Sequence, residues 1–114
     1  MTQVLLVCGK NGEFRACSAR GHAGFAARGR DIVCAGETSI LRSALAVLEQ
    51  TKGITLVSDT SSRGNLAFRV EEQGSGNGER LSCIADFIRC GIGALAQEYP
   101  ECIQMREMKE AKEE

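Results

Sequence analysis

The chain carries a single histidine, His22, so any chemistry that needs an imidazole must run through it. Eleven residues separate it from Cys34, the nearest nucleophile with a plausible means of activation. A thiol attacks a carbonyl carbon effectively only as the thiolate, so a catalytic cysteine needs a neighbour that favours the anion or removes the proton. The sequence offers both. Asp31 reads as a helix N-cap, which would make Cys34 the third helical residue, inside the first turn, where unpaired backbone N–H groups and the helix dipole favour negative charge. His22 would form the ion-pair partner if the intervening loop folds back. The imidazolium would then protonate a leaving amine, and the backbone N–H groups of Cys34 and Ala35 would hold the oxyanion.

Other residues around the pair have alternative roles. Asp31 would either cap the helix or orient the His22 ring as the third member of a triad, and the cap ranks first because a carboxylate beside Cys34 opposes thiolate formation. Gly21 permits a close backbone approach, and Phe25 is a candidate for substrate contact or for a local anchor of the loop. Arg28 and Arg30 read as loop-solvating charges. From these residues alone two pictures stay open: a Cys-His dyad, or a buried thiol beside an unrelated loop histidine.

Composition narrows the classes. A net charge of −1 gives no global basic footprint, and four Phe, one Tyr and no Trp leave little for base stacking, so no direct nucleic-acid partner is expected. No apolar run approaches the ~20 residues of a membrane span, and the N-terminus does not read as a signal peptide, so the expected location is the cytoplasm with no membrane partner. In that compartment the six cysteines read as thiols. Without a Cys-x-x-Cys pair, no metal site is expected, nor any other cofactor. Cys8, Cys17, Cys83 and Cys90 read as small buried hydrophobes.

The elements that must position His22 and Cys34 follow from periodicity and turn chemistry. Residues 3–8 form an apolar strand, and Lys10-Asn11-Gly12 predicts a tight primed turn. A second strand follows, alternating Phe14, Ala16 and Ser18 against Arg15, Cys17 and Ala19. His22 falls where this strand ends, and residues 23–30 read as a mobile surface loop and a candidate groove wall. Helical spacing runs from Ile32 and Val33 through Ile40, Leu41, Ala44, Leu45 and Leu48, although Gly36 and the β-branched pair Ile32-Val33 leave open a start near Thr38.

Residues 54–59 and 65–72 read as a hairpin joined through Ser61-Ser62-Arg63-Gly64. A second helix carries Leu81, Ile84, Ile88, Ile92, Leu95 and Tyr99 on one stripe and Cys83, Phe87, Cys90 and Ala94 on another, which suits a deep core position or a second subunit. Residues 102–108 predict a last strand, and 110–114 a solvated charged tail. The order β-β-α-β-β-α-β predicts an α+β fold: a two-layer, largely antiparallel sheet with two long helices on one face, in a single domain over residues 1–109.

Taken together, Gly21-His22-Ala23, Gly29, Asp31-Ile32-Val33-Cys34-Ala35 and Tyr99-Pro100-Glu101 resemble the ribosomal-processing cysteine protease family Prp, across nearly the whole chain. The resemblance implies that His22 and Cys34 are the catalytic dyad of a homodimeric α+β protease. It implies as substrate the precursor of a large-subunit ribosomal protein, whose short N-terminal extension is removed to expose a mature tail that reaches toward the peptidyl-transferase centre. Cleavage is expected after an aromatic residue in an extended, partly apolar peptide. The chain departs from the family where small and β-branched apolar residues and then Ser usually follow Cys34-Ala35. Here Gly36-Glu37-Thr38 stands instead: Thr38 can supply the hydroxyl, Gly36 weakens the helix, and Glu37 adds an anion unless it points outward. Two readings from other classes compete, a non-catalytic ribosome-associated binding module and a thiol redox protein with Cys17 resolving Cys34.

Overall fold

The computed structural model of the chain describes residues 1–27, 30–60 and 64–110. Its elements are β1 (Thr2–Cys8), β2 (Phe14–Arg20), α1 (Ile32–Glu49), β3 (Thr55–Asp59), β4 (Asn65–Glu72), α2 (Gly78–Glu98) and β5 (Ile103–Lys109). The expected order β-β-α-β-β-α-β is the observed one. The five strands form one sheet in the order β3-β4-β2-β1-β5. Three neighbour pairs are antiparallel, and β1 pairs with β5 in parallel. That parallel pair follows from connectivity. β4 already runs parallel to β1, and α2 carries the chain from β4 across the sheet to β5, the long crossover that parallel strands require.

Alternation along the strands sends one set of side chains toward both helices. Val4, Leu6, Cys17, Ala19, Leu66, Phe68, Val70 and Ile103 are buried together with Val33, Leu41, Ala44, Leu45 and Leu48 of α1 and Leu81, Ile84, Ala85, Ile88 and Ile92 of α2. Arg89 on α2 ties the helix to β5 through two bonds to the Glu107 carboxylate, at 2.9 and 2.6 Å.

The β2 alternation differs from the expected one. Val7 pairs with Ala16 but Cys8 pairs with Phe14, so Arg15 is the extra residue of a β-bulge. The bulge shifts the phase by one, so Phe14 faces the core on the same side as Cys17 and Ala19. The hairpin turn differs too. Only Gly12 takes a positive φ (88°), whereas a primed two-residue turn needs positive φ at Asn11 as well. The connection is instead a wider loop closed by Gly9 N–H to Glu13 O at 2.7 Å and Gly12 N–H to Gly9 O at 3.0 Å.

Two cysteines also depart from expectation. Cys8 and Cys17 are buried, but Cys83 and Cys90 are exposed, because α2 covers the sheet with its Leu81–Ile92 stripe alone and turns the Cys83–Phe87–Cys90–Ala94 stripe outward. Glu110, expected to open the tail, still donates its N–H to Cys8 O at 2.7 Å. The remainder of that tail, residues 111–114, lies outside the described residues, as do Arg28, Gly29 and Ser61–Arg63 of the expected loop and turn.

Phe14 is fully buried, and its ring stacks on Phe68 at 5.5 Å between centroids. Phe14→Ala should therefore lower stability by about 3–5 kcal/mol. In urea titration this reads as an earlier midpoint at unchanged slope.

Candidate active site

Helix α1 begins where the sequence places its cap. Asp31 is the N-cap, and its Oδ1 accepts the Cys34 N–H at 2.9 Å. Cys34 is the third helical residue, part-exposed at the open end of the first turn. The other oxygen, Oδ2, accepts the Phe25 N–H at 3.1 Å. Burial is the largest single influence and pushes the Asp31 carboxyl up, but the N–H groups of Cys34, Phe25, Ala26 and Val33 together outweigh it and hold the carboxyl below the usual aspartate value. Gly36 does not interrupt the helix.

This cap alters one part of the expected chemistry. The N–H groups of Cys34 and Ala35, expected to hold an oxyanion, are both engaged: the first by the Asp31 side chain, the second by the Asp31 carbonyl at 3.0 Å. A hydroxyl is available nearby. Thr38, one turn beyond Cys34, lines the same clefts as the thiol.

The loop expected to be mobile has several attachments among its described residues. Ala23 is buried in the core, the Phe25 N–H is held by Asp31, and the Phe25 ring meets the Tyr99 ring edge-on at 5.4 Å between centroids. Phe25 remains 46% exposed, so it is anchored on one side and open on the other.

His22 follows directly on β2. Gly21 donates its N–H to Gly64 O at 2.8 Å, which extends the β2–β4 pairing by one rung beyond Arg20 and Asn65. The His22 ring then lies on Gly64: a Cβ there would sit 2.7 Å from both Cε1 and Nε2. Gly64 has φ +82°, so both its backbone and its bare surface require glycine. The sequence pointed to Gly64 only as a turn residue, since a contact between positions 22 and 64 leaves no local pattern.

His22, Cys34 and Thr38 line two adjoining clefts. One, about 430 Å³, runs between α1 and β4, past Ala19, Glu37, Asn65 and Leu66. The other, about 710 Å³, lies over the start of α1 beside Gly24, Asp31, Ile32 and Arg30. No hydrogen bond joins His22 to Cys34 among the described residues, although both line the same two clefts, and catalytic contacts tighten on binding. Among the described residues no group of three or more His, Cys, Asp or Glu side chains could hold a metal ion, and no described helix is long and apolar enough to cross a membrane.

Glu37 points inward. It is 5% exposed, on the stripe of α1 that also buries Val33, Leu41 and Leu48. Burial raises its carboxyl from 4.5 to about 7. Cys17 lies near it, and burial first, then the Glu37 charge, pushes that thiol up to about 12. A thiol so reluctant to ionise is a poor resolving partner for Cys34, which weighs against the redox reading.

The sequence matches the protein-family description "cysteine protease Prp" over residues 1–104. No individual curated protein matches it. Among solved structures, it is similar to the essential ribosomal processing protease Prp of S. aureus in complex with a covalently linked product peptide. That pair shares 23% identity and a TM-score of 0.76, covering 94% of this chain and 99% of that one. SMU.848 from Streptococcus mutans is similar at 24% identity and TM-score 0.72, over 96% of each chain. Likeness at this identity speaks to the fold.

Two expectations follow. Gly64→Ala should cost about 1–2 kcal/mol of stability through its left-handed backbone, and the displaced His22 ring should alter the pH profile of Cys34 alkylation. A wild-type profile would mean that the seat on Gly64 does not matter. A carboxyl raised by folding favours the folded state below its unfolded value, and that contribution is lost as pH rises through about 7. The Glu37→Gln variant should therefore gain stability relative to the parent between about pH 5 and about pH 8, by up to about 3 kcal/mol in denaturant titrations.

Proposed function

The chain belongs to the cysteine protease Prp family, and on that premise we propose that it removes the short N-terminal extension of a bacterial large-subunit ribosomal protein precursor through a dyad of Cys34 and His22. One observation supports the reading: His22 and Cys34 both line the same two clefts. An extended peptide that runs from one cleft to the other past Cys34 would put one flank of the scissile bond in each cleft and the bond itself over the thiol. Support also comes from the S. aureus protein, which is described as a ribosomal processing protease and has been solved with a substrate peptide and with a covalently linked product peptide.

The chemistry follows from the residues. The N-terminal end of α1 favours negative charge on Cys34 Sγ, and His22 takes the thiol proton. Sγ bonds to the carbonyl carbon, and the electrons of the C=O bond move to oxygen. With the Cys34 and Ala35 N–H groups already used, the Thr38 hydroxyl is the donor we assign to that oxyanion. Collapse breaks the C–N bond, and the imidazolium gives its proton to the leaving amine. Water, deprotonated by the neutral His22, then hydrolyses the thioester.

Asp31 acts as a positioning residue, because its oxygens are committed to backbone N–H groups. Gly21 sets the ring's approach, and Phe25, with one face open, forms part of the wall for an apolar substrate residue. We propose a cytoplasmic homodimer, a reading supported by the solvent-facing Cys83–Phe87–Cys90–Ala94 stripe of α2.

The test is incubation of the purified protein with a precursor peptide that carries the extension, followed by mass spectrometry. The parent should release the extension, Cys34→Ala should release none, and His22→Ala should be slower by about 100-fold or more. Cleavage by Cys34→Ala would overturn the dyad.

A further inference from the structure

The loop between β2 and α1 supplies one wall of the larger cleft, through Gly24 and Ala26, beside Cys34. From position 24 to 27 its residues are Gly, Phe, Ala and Ala, so Phe25 is the one side chain of that stretch large enough to fix it by packing. Phe25 links two helix ends. Its N–H donates to the cap of α1, at Asp31 Oδ2, and its ring meets the Tyr99 ring at the end of α2 with an interplanar angle of 77°.

Tyr99 is a firm support for that ring. Its N–H donates to Leu95 O at 2.7 Å, and its carbonyl accepts the N–H groups of Cys102 at 2.9 Å and Ile103 at 3.2 Å, which joins the end of α2 to the start of β5. The side chain is part-buried and packs on the core. One turn back, Leu95 packs there too, with Cδ1 3.6 Å from where a Cβ on Gly36 would stand, so the last turns of α2 lie against the first turns of α1. A loop of Gly and Ala must otherwise be ordered when a ligand binds, and that ordering subtracts from affinity.

We propose that Tyr99 is a positioning residue for peptide binding: its ring holds Phe25, and Phe25 holds the wall at residues 24–26 in place beside Cys34 before substrate arrives. This rests on the reading of the chain as a peptidase that binds peptide in that cleft. The role is separate from the chemistry. The Cys34 N–H uses Asp31 Oδ1 rather than the oxygen that Phe25 uses, and the His22 ring is seated on Gly64. Loss of the ring pair therefore weakens binding and leaves the chemical step in place.

The experiment measures kcat and KM on the precursor peptide for the parent, Tyr99→Phe, Tyr99→Leu, Phe25→Leu and the Tyr99→Leu/Phe25→Leu double variant. Each single Leu variant should raise KM about three- to tenfold, the factor that an aromatic pair supplies, with kcat within about twofold of the parent. Tyr99→Phe should keep the parent KM. The double variant should be no worse than the poorer single one, because both substitutions remove the same contact. Parent KM in the Leu variants overturns the proposal while leaving the protease reading intact, as do effects that add in the double variant or a loss confined to kcat. Phe25→Leu lies in a part-exposed loop, so it tests the pair even where Tyr99→Leu fails to fold.

Should the parent cleave nothing, the protease reading fails, and the hold of Tyr99 on the loop is judged without substrate. The sequence has no tryptophan, so Phe25→Trp places a single fluorescent reporter in the loop. With Tyr99 present, its emission should be more anisotropic and less quenched by acrylamide than in the Tyr99→Leu background. Equal anisotropy and quenching overturn the proposal.

Discussion

The site depends on how the Asp31 carboxylate spends its two oxygens. One accepts the N–H of Cys34 and so fixes the residue at which α1 begins. The other accepts the N–H of Phe25 and draws the preceding loop against that helix end. A helix turns by about 100° per residue, so a helix whose register shifted by one position would swing the thiol away from the clefts it lines with His22. The same bonds remove Asp31 from the alternative role of orienting the imidazole. Together with the Asp31 main-chain carbonyl, which accepts the Ala35 N–H, they engage the two backbone donors nearest the thiol.

The histidine is held by different means. It stands at the end of a strand whose pairing with β4 runs one rung further, from Gly21 to Gly64, and the ring rests on the residue that accepts this last bond. Cys34 and His22 thus come from separate layers of the fold, one from the helix layer and one from the end of a sheet strand. The cleft between them is the gap between layers, which explains why its inner wall includes a residue from the core stripe of α1.

Much of this was legible in the chain itself. Helical spacing from Val33 to Leu48 and the Asp31 cap located α1, and strand alternation located β4 at residues 65–72, because those patterns are local and each element buries one face. What escaped has one common cause. The phase of β2 depends on a bulge opposite Cys8, the support of His22 on a residue 42 positions away, and the exposure of Cys83 and Cys90 on which stripe of α2 the sheet accepts. Each is decided by tertiary partners. The orientation of Glu37, open in the sequence, is likewise settled by packing, which turns it onto the buried stripe of α1.

The parallel pairing of β1 with β5 joins residues about a hundred positions apart, Thr2 with Ile103 at one end and Cys8 with Lys109 at the other. During synthesis on the ribosome, β1 can take up its hairpin with β2 early, but its other side remains a row of open N–H and C=O groups until residues 103–109 have emerged. The nascent chain therefore carries His22 and Cys34 well before the platform beneath them is complete, and the sheet keeps a raw edge until β5 pairs with β1.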